Sequence, residues 1–406
     1  MRGIIVILAM LWFCSCRKGK TTEPPLSSVD SFTVTVHNGY GSGRYKAGDT
    51  VHIFSDNYAD DQLFDQWSGD ASMLNAADEW HTWFIMPDRS VTFTGNIKTI
   101  RAFTLEFSQI EGRDRRKPVY YYFPTHAKGI VYLLHGTGGN AAHLVKDYEW
   151  QQLIKTLVDG SYAVIITEAE EATLGVDTNG DGKLRWALLP YDTVANVDYA
   201  NIRILTDTFY HRGLLSPALQ KYAIGMSDGG FFSAALSSIY HFQAGINYCS
   251  QGSAYIMQHT LSPVQFCMAR FDSNPQVGQQ GNTDALTNAN ALNARGVCSK
   301  FLIKERCPLY PARFARSGII SSGLSEAIFN EMKSKGFIDA SNYFMGYATD
   351  FTQASQSSPA GFPVFNSLAA NQKIFVSAQI SLSVSDHRMY SDYDHASLQF
   401  LNDPCQ

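Results

Sequence analysis

The sequence predicts two folded parts, a small all-β domain over residues 31–98 and an α/β domain over residues 101–406. In the first part, apolar residues alternate with threonines in short runs separated by Gly, Asn and Asp clusters, which is typical of antiparallel strands. In the second part, short apolar runs are separated by segments of helix length. That pattern indicates a buried parallel sheet with crossover helices. The apolar runs lie at residues 130–134, 163–166, 222–224 and 264–268.

The composition excludes several classes of protein. The 406 residues carry 32 Lys and Arg against 37 Asp and Glu, a formal net charge of −5, so no basic surface is available to neutralise a row of phosphates. Nucleic acid is therefore not expected as a partner. Because 45% of the residues are hydrophobic and only 17% are charged, we expect a well-packed globular protein and not a disordered one.

Residues 1–16 resemble a bacterial lipoprotein signal. An apolar run of about 10 residues ends at Phe13, which is half the length of a membrane span and suits the hydrophobic core of a secretion signal. Ser15-Cys16 matches the site where a Cys becomes the lipidated N-terminus. Phe13 stands where Leu is usual, and Cys14 is a competing site. The resemblance implies lipidation of Cys16 and a location at the cell envelope, in the outer membrane or periplasm, with the membrane as a partner. An ordinary signal and an uncleaved anchor are the alternatives.

Residues 17–30 are polar and contain Pro24-Pro25, as expected for a linker. The following stretch, 31–98, resembles a single copy of a small bacterial surface β-repeat, a module that usually serves as a spacer or attachment domain. Its tryptophans fit either a core or a platform for stacking sugars. The matching landmarks are Gly41-Ser42-Gly43, Tyr45, Gly48, residues 64–70 (FDQWSGD) and residues 84–87 (FIMP); the tryptophans are Trp67, Trp80 and Trp83.

A nucleophilic serine is predicted at Ser227. The string Gly225-Met226-Ser227-Asp228-Gly229 follows the apolar run 222–224 and precedes a helix-forming segment. On such a strand-to-helix turn, flanking glycines permit the strained conformation that exposes the serine hydroxyl. A glycine-rich turn with a capping serine is the alternative.

An oxyanion hole is predicted from residues 135–139 (HGTGG), which directly follow the run 130–134. Acyl transfer builds negative charge on the carbonyl oxygen, and two backbone N–H groups aimed at that oxygen stabilise it. The expected donors are the N–H groups of Thr137 and Asp228. The loop alone also fits an anion site at a helix N-terminus. His135 is expected to hold the loop and not to act as the base.

The base and its orienting acid should follow the nucleophile at strand ends. Asp272 lies just after the run 264–269, with Asn274 and Asp284 as alternatives. For the base, residues 373–384 read as a last strand that ends before His387, and a closing helix follows. His395 falls in that helix and is the alternative base.

Three further features concern cofactors and cysteines. Asp177, Asn179 and Asp181 occupy positions 1, 3 and 5 of a calcium-loop pattern, but position 12 is Leu188, so the candidate structural calcium competes with a plain turn. No cofactor is required for the expected reaction. Cys298 and Cys307 flank a short segment and form a candidate disulfide.

From residue 101 onward the chain resembles the α/β-hydrolase superfamily, and within it the secreted esterases that include feruloyl esterases and poly(3-hydroxybutyrate) depolymerases. The resemblance rests on residues 135–139, on residues 225–230 and on the order Ser227, Asp272, His387. It implies an eight-stranded, mostly parallel sheet and a metal-independent acyl-enzyme mechanism. The long separation between acid and base leaves residues 278–371 as an apparent insertion.

The sequence thus predicts a serine esterase for carboxylic esters, with substrates that are linked to polysaccharides or carry aromatic groups. A serine peptidase on the same fold is the first alternative, because the triad does not distinguish an ester from an amide. A surface binding protein that has lost activity is the alternative from another class.

Overall fold

The structure, a computed structural model, describes residues 31–405. The predicted signal 1–16 with its lipidation site Cys16, and the linker 17–30, lie outside the described residues. Within the described part of the chain, no helix is long and apolar enough to cross a membrane.

The N-terminal part consists of two small sheets, as its alternating pattern predicts. A four-stranded sheet has the order β3-β1-β7-β5, in which β1 and β7 are parallel, and a three-stranded antiparallel sheet has the order β2-β4-β6. Apolar side chains from both sheets meet in one core that includes Val34, Ile53 and Phe93. The strands are β1 (Ser31–His37), β2 (Gly39–Tyr40), β3 (Gly43–Lys46), β4 (Thr50–Ser55), β5 (Gln62–Gly69), β6 (His81–Ile85) and β7 (Val91–Thr99).

The second part is built on one eight-stranded sheet, which confirms the predicted α/β class. Its order is β8-β9-β11-β10-β12-β13-β14-β15, and β9 alone runs antiparallel to its neighbours. The central strands are buried on both faces, which explains their continuous apolar runs. The strands are β8 (Glu106–Glu111), β9 (Arg116–Tyr122), β10 (Gly129–Leu134), β11 (Ala163–Ile166), β12 (Gln220–Met226), β13 (Ala244–Tyr248), β14 (Val264–Ala269) and β15 (Ser299–Lys304).

Helices cover both faces of this sheet. Along β10, Tyr132 points into the core on one face and Val131 into the core on the other, as strand alternation requires. The helices are α1 (Ala141–Leu144), α2 (Tyr148–Asp159), α3 (Glu170–Leu174), α4 (Val197–His211), α5 (Asp228–Ile239), α6 (Ala254–His259), α7 (Gly278–Ala294), α8 (Ser322–Ser334), α9 (Ala348–Ser357), α10 (Pro363–Asn366), α11 (Ala370–Ser383) and α12 (Asp394–Asn402). Short 3₁₀ turns lie at Ala71–Met73, Arg313–Ala315 and Pro359–Gly361.

The prediction of a last strand at residues 373–384 is wrong, because this segment forms helix α11. Its buried positions include Phe375, Val376, Gln379 and Ile380, a spacing of three to four residues that belongs to a helix. The β-branched residues in this short apolar run suggested a strand, but packing against the neighbouring helices determines the conformation.

The apparent insertion 278–371 is shorter than the sequence suggested. Its first part, residues 278–304, supplies α7 and the edge strand β15 of the main sheet. The remaining residues, 305–369, form short helices around a separate aromatic core with Phe329 and Phe351, which α11 completes.

The N-terminal part and the segment after β15 share one hydrophobic core. Cys307, Tyr310 and Ala312 pack in the same cluster as Phe54 and Trp80 of the β sheets. The resemblance to a spacer module implied a separable unit. The observed packing instead makes the N-terminal sheets continuous with the rest of the molecule.

A buried polar network crosses the same boundary. Asp392 accepts hydrogen bonds from the Lys304 ammonium and from Nδ1 of His81, the latter at 2.6 Å. His52 stands 3.1 Å from Nε2 of His81. Burial lowers the pKa of His81 to about 4, although the neighbouring Asp392 carboxylate acts in the opposite direction. At neutral pH the imidazole of His81 is therefore uncharged and donates the proton on Nδ1 to Asp392.

The predicted bridge between Cys298 and Cys307 is wrong. Cys298 pairs with Cys405, with 5.2 Å between their Cα atoms, and Cys307 is a buried free thiol. Cys298 lies just before β15, whereas Cys307 lies beyond it in the core shared with the N-terminal sheets. The intervening strand carries the two cysteines apart.

The bridge closes a loop of 107 residues, so its loss should destabilise the protein. The loop-entropy estimate for that length is about 4–5 kcal/mol. Cys298→Ala, Cys405→Ala and the double variant should each lower the free energy of unfolding by a similar amount, measured by urea denaturation. Peptide mapping without reduction should recover a peptide that links Cys298 to Cys405. A peptide that links Cys298 to Cys307, or additive losses in the double variant, would contradict the assignment.

Candidate active site

Ser227 lies on a sharp turn between β12 and α5. Its main chain has φ 58° and ψ −121°, a region that residues with a side chain rarely adopt. The turn is held by a hydrogen bond from the N–H of Ser227 to the carbonyl of Tyr248, at 2.8 Å. The side chain remains half-buried and open to solvent on one side.

The two flanking glycines are required by close packing of the main chain. A Cβ atom at Gly225 would lie 1.9 Å from the carbonyl oxygen of Gly229. A Cβ atom at Gly229 would lie 2.3 Å from the carbonyl oxygen of Leu134. These distances are far below van der Waals contact, so any side chain at either position would push β10, β12 or α5 apart.

The structure brings Ser227, His387 and Asp272 together. Oγ of Ser227 lies 2.9 Å from Nε2 of His387, and Nδ1 of His387 lies 2.7 Å from Oδ2 of Asp272. Because a carboxylate can only accept, Nδ1 carries the proton and Nε2 presents its lone pair to the serine hydroxyl. Asp272 is buried at the end of β14, and His387 follows α11.

The loop 135–139 lies beside Ser227, since a Cβ atom at Gly136 would lie 3.2 Å from Cβ of Ser227. The N–H groups of Thr137 and Asp228 donate to no acceptor in the described part of the chain, whereas Gly138 donates to Leu184. Stabilisation of an oxyanion requires two N–H donors of this kind beside a serine hydroxyl.

Two observations identify the fold: an eight-stranded, mostly parallel sheet, and a serine on a strained turn between a strand and a helix of that sheet. The chain has the α/β-hydrolase fold. No protein-family model matches the sequence, and no curated protein matches it. The assignment therefore rests on the strand order and the turn of this chain itself.

The chain is similar to several solved structures at low identity. A dienelactone hydrolase from Anabaena variabilis is 15% identical with a TM-score of 0.37, covering 56% of this chain and 97% of its own. A ferulic acid esterase is 10% identical with a TM-score of 0.37, covering 50% and 89%. An esterase from Pyrobaculum calidifontis is 14% identical with a TM-score of 0.35, covering 58% and 87%.

His135 holds the loop, in keeping with the role expected for it. Its Nε2 accepts the N–H of Ala169 at 3.1 Å, and Nδ1 donates to the carbonyl of Gly136 at 2.7 Å. Burial lowers the pKa of His135 to about 4, so the ring is neutral at neutral pH. Both ring nitrogens are occupied, and neither is available as a general base.

The alternative candidates lie elsewhere. Nδ1 of His395 faces the carbonyl of Asp78 in the N-terminal part. Asn274 donates its N–H to Asp272 at 2.9 Å, and so supports the acid without replacing it. Asp284 lies on α7, where it accepts from Gln280.

The predicted calcium loop has its oxygens turned toward its own main chain. Asp177 accepts the N–H groups of Asn179, Gly180 and Gly182, at 2.6 to 3.2 Å. Asn179 accepts the N–H of Asp181 at 3.0 Å, and Asp181 pairs with Arg185. These are the hydrogen bonds of an Asx-rich turn. Calcium binding stays a prediction and has no part in the reaction proposed below.

Several supporting residues escaped the sequence analysis. Asp386 accepts the N–H groups of Ser273 and His387, at 2.8 and 2.7 Å. It therefore joins the loop that carries Asp272 to the loop that carries His387. Ser385 accepts the N–H of Arg270 at 2.8 Å. The position of Asp386 directly before His387 is the sequence feature that could have indicated this supporting role.

Cys249 is a second feature that the sequence analysis missed. Its sulfur lies within 4.8 Å of ligand atoms of Asp272 and His387 and donates to the carbonyl of Arg388 at 3.3 Å. Burial raises the pKa of this thiol well above its usual range. The residue is therefore a neutral thiol that packs behind the acid and base.

Asp228 generates a prediction about pH. Burial raises the pKa of its carboxyl to about 6, although the N–H of Trp186 donates to it at 2.9 Å. The folded state therefore retains a proton that the unfolded chain releases near pH 4, and stability falls as pH rises from about 4 to 6. Asp228→Asn removes this loss, worth at most about 3 kcal/mol. Its melting temperature relative to wild type should rise between pH 4 and pH 7.

Thermal unfolding at several pH values measures this effect. Asp284→Asn, on α7 outside the site, controls for the general effect of removing one carboxylate. An Asp228→Asn variant that loses stability relative to wild type as pH rises would show that the carboxyl is stabilised in its charged form.

Proposed function

We propose that this protein is a serine esterase that hydrolyses carboxylic esters through an acyl-enzyme. The observation that carries the proposal is the unbroken line of contacts from Asp272 through His387 to Ser227. Hydroxyl, imidazole and carboxylate in this order form the arrangement that activates a weak nucleophile. The strained turn at Ser227 and the two unused N–H donors support the same reaction.

The chemistry follows from the positions of the protons. Nε2 of His387 takes the hydroxyl proton while Oγ of Ser227 attacks the ester carbonyl, and the imidazolium is stabilised by Asp272. The negative charge on the carbonyl oxygen is stabilised by the N–H groups of Thr137 and Asp228. His387 then returns the proton to the departing alcohol. Water, activated by the same histidine, releases the acid.

We propose substrates in which the ester is linked to a polysaccharide or carries an aromatic group. Support comes from the aromatic content of the chain, 13%, which suits recognition of rings. We also propose export and lipid anchoring through Cys16, on the strength of the signal-like segment 1–16.

Substitution of the triad tests the reaction. Ser227→Ala should lower the rate of p-nitrophenyl acetate hydrolysis by about 10⁴-fold or more, and His387→Ala should do the same because triad members act as a unit. His395→Ala is the matched control and should stay within a few-fold of wild type. Circular dichroism should show all three variants folded.

Other outcomes would redirect the proposal. Activity of Ser227→Ala within tenfold of wild type would overturn it. Loss in His395→Ala with retention in His387→Ala would move the base. A parallel panel of methyl ferulate, acetylated xylan and a fluorogenic peptide separates an esterase from a peptidase. Failure of a fluorophosphonate probe to label wild type would favour a binding protein.

Anchoring is tested through Cys16. Cys16→Ser should shift the full-length protein from the membrane fraction to the soluble fraction of the expressing cells, because each buried CH₂ of a lipid contributes about 0.8 kcal/mol to membrane binding. Labelled palmitate should enter wild type and Cys14→Ser but not Cys16→Ser. Equal labelling of both variants, or none in wild type, would contradict lipidation at Cys16.

A further inference from the structure

A cleft of about 790 Å³ lies between the N-terminal sheets and the segment after β15. One wall is formed by residues 39–45, 49–50, His52 and Phe54, and the other by residues 308–311 and 340–343. The volume falls in the range of small-molecule sites, roughly 300–1,000 Å³. No residue of the proposed triad lines this cleft, so it is distinct from the active site.

Tyrosine rings form much of both walls. Tyr40 and Tyr45 come from the N-terminal part, and Tyr310 and Tyr343 from the opposite segment. Tyr40 stacks on Tyr310 with ring centroids 4.5 Å apart, a contact that joins the two walls. Tyr343 lies 6.3 Å from His52 with the ring planes at 81°, and its ring is half-exposed.

The polar groups of the cleft carry almost no net charge. Arg44 and Asp49 are the charged side chains among its lining residues, and their charges are opposite. Burial lowers the pKa of His52 to about 3, so this imidazole is neutral. The hydroxyl of Tyr343 makes no hydrogen bond in the described part of the chain, and the side chains of Thr50 and Ser341 are exposed.

We propose that this cleft binds a neutral oligosaccharide. A pyranose ring has an apolar C–H face that packs on an aromatic ring and a rim of hydroxyls that needs hydrogen-bond partners. The half-exposed rings of Tyr45 and Tyr343 supply the first, and the Tyr343, Thr50 and Ser341 hydroxyls supply the second. A charged ligand would meet a like charge as well as an opposite one, since Arg44 and Asp49 both line the cleft, and a purely apolar ligand would leave these hydroxyls without partners.

The cleft is joined to the acid loop of the active site by direct contacts. Arg306 donates to the carbonyl of Phe344, the residue after Tyr343. Its guanidinium lies 5.5 Å from the centre of the Phe271 ring, and Phe271 precedes Asp272.

Calorimetric titration tests the proposal with xylohexaose, cellohexaose and mannohexaose as neutral probes and hexagalacturonate as the charged one. Wild type should bind at least one neutral hexasaccharide more tightly than hexagalacturonate. Tyr343→Ala and Tyr45→Ala, one from each wall, should each weaken that binding about tenfold or more. Ser227→Ala should bind as wild type does, so the result is independent of the proposed esterase.

Two control variants sharpen the test. Tyr347→Ala and Trp83→Ala remove rings that are 37% exposed but lie outside the cleft, and both should leave binding unchanged. Melting temperatures identify any variant that loses binding by unfolding, and Tyr343→Phe, which removes only the hydroxyl, then serves in place of Tyr343→Ala. Absence of binding to every neutral probe would overturn the proposal. Binding that depends on Trp83 and not on Tyr343 or Tyr45 would overturn it as well.

Discussion

The strained main chain at Ser227 is the constraint on which the rest of the site depends. A positive φ at a residue with a side chain costs roughly 1–3 kcal/mol and persists only where the surroundings enforce it. Here the surroundings are β10, β12 and α5, which approach so closely at Gly225 and Gly229 that no Cβ atom fits. Asp228 is the first residue of α5, and the first N–H groups of a helix have no partner within the helix. Strand packing and the exposure of Ser227 are thus consequences of a single turn.

The segment around His387 is held in a different way, by buried hydrogen bonds and ion pairs. The segment that carries His387 continues to Ser391, whose N–H and hydroxyl both donate to Glu149, and Glu149 pairs with Arg316 at 3.1 Å. The next residue, Asp392, binds Lys304 and His81. Removing one partner of a buried pair leaves an uncompensated charge, which is strongly destabilising. The chain after His387 is therefore fixed by the contacts of Ser391 with Glu149 and by those of Asp392 with Lys304 and His81.

How far the sequence predicted this molecule depends on whether a feature is local. The turn at Ser227 and the loop at 135–139 are short strings whose glycines carry their own physical reason, and both adopt the predicted conformation. The choice of Asp272 over Asn274 followed from the end of β14, which an apolar run marks. The segment 373–384 failed because an apolar run of this length suits a helix or a strand, and only its neighbours decide.

Contacts between residues that are far apart along the chain were harder to predict from the sequence than these local features. The pairing of Cys298 with Cys405 depends on the path of the chain after β15, and the spacing of cysteines along the sequence does not reveal that path. His81 and Asp392 are far apart along the chain, and neither belongs to a motif. A histidine in an alternating β segment reads as an ordinary surface residue until the partner strand and the opposing loop are in place.

The N-terminal sheets and residues 307–312 share one core, so the molecule is a single folding unit. The sequence suggested two independent domains joined by a short connection. Neither side buries its apolar surface without the other, since Tyr310 lies against Phe54 and Arg316 against Trp80. Heat or denaturant should therefore melt both parts in one cooperative transition. In evolutionary terms, the N-terminal sheets cannot be exchanged for another module on their own, because their buried surface must change together with residues 305–316.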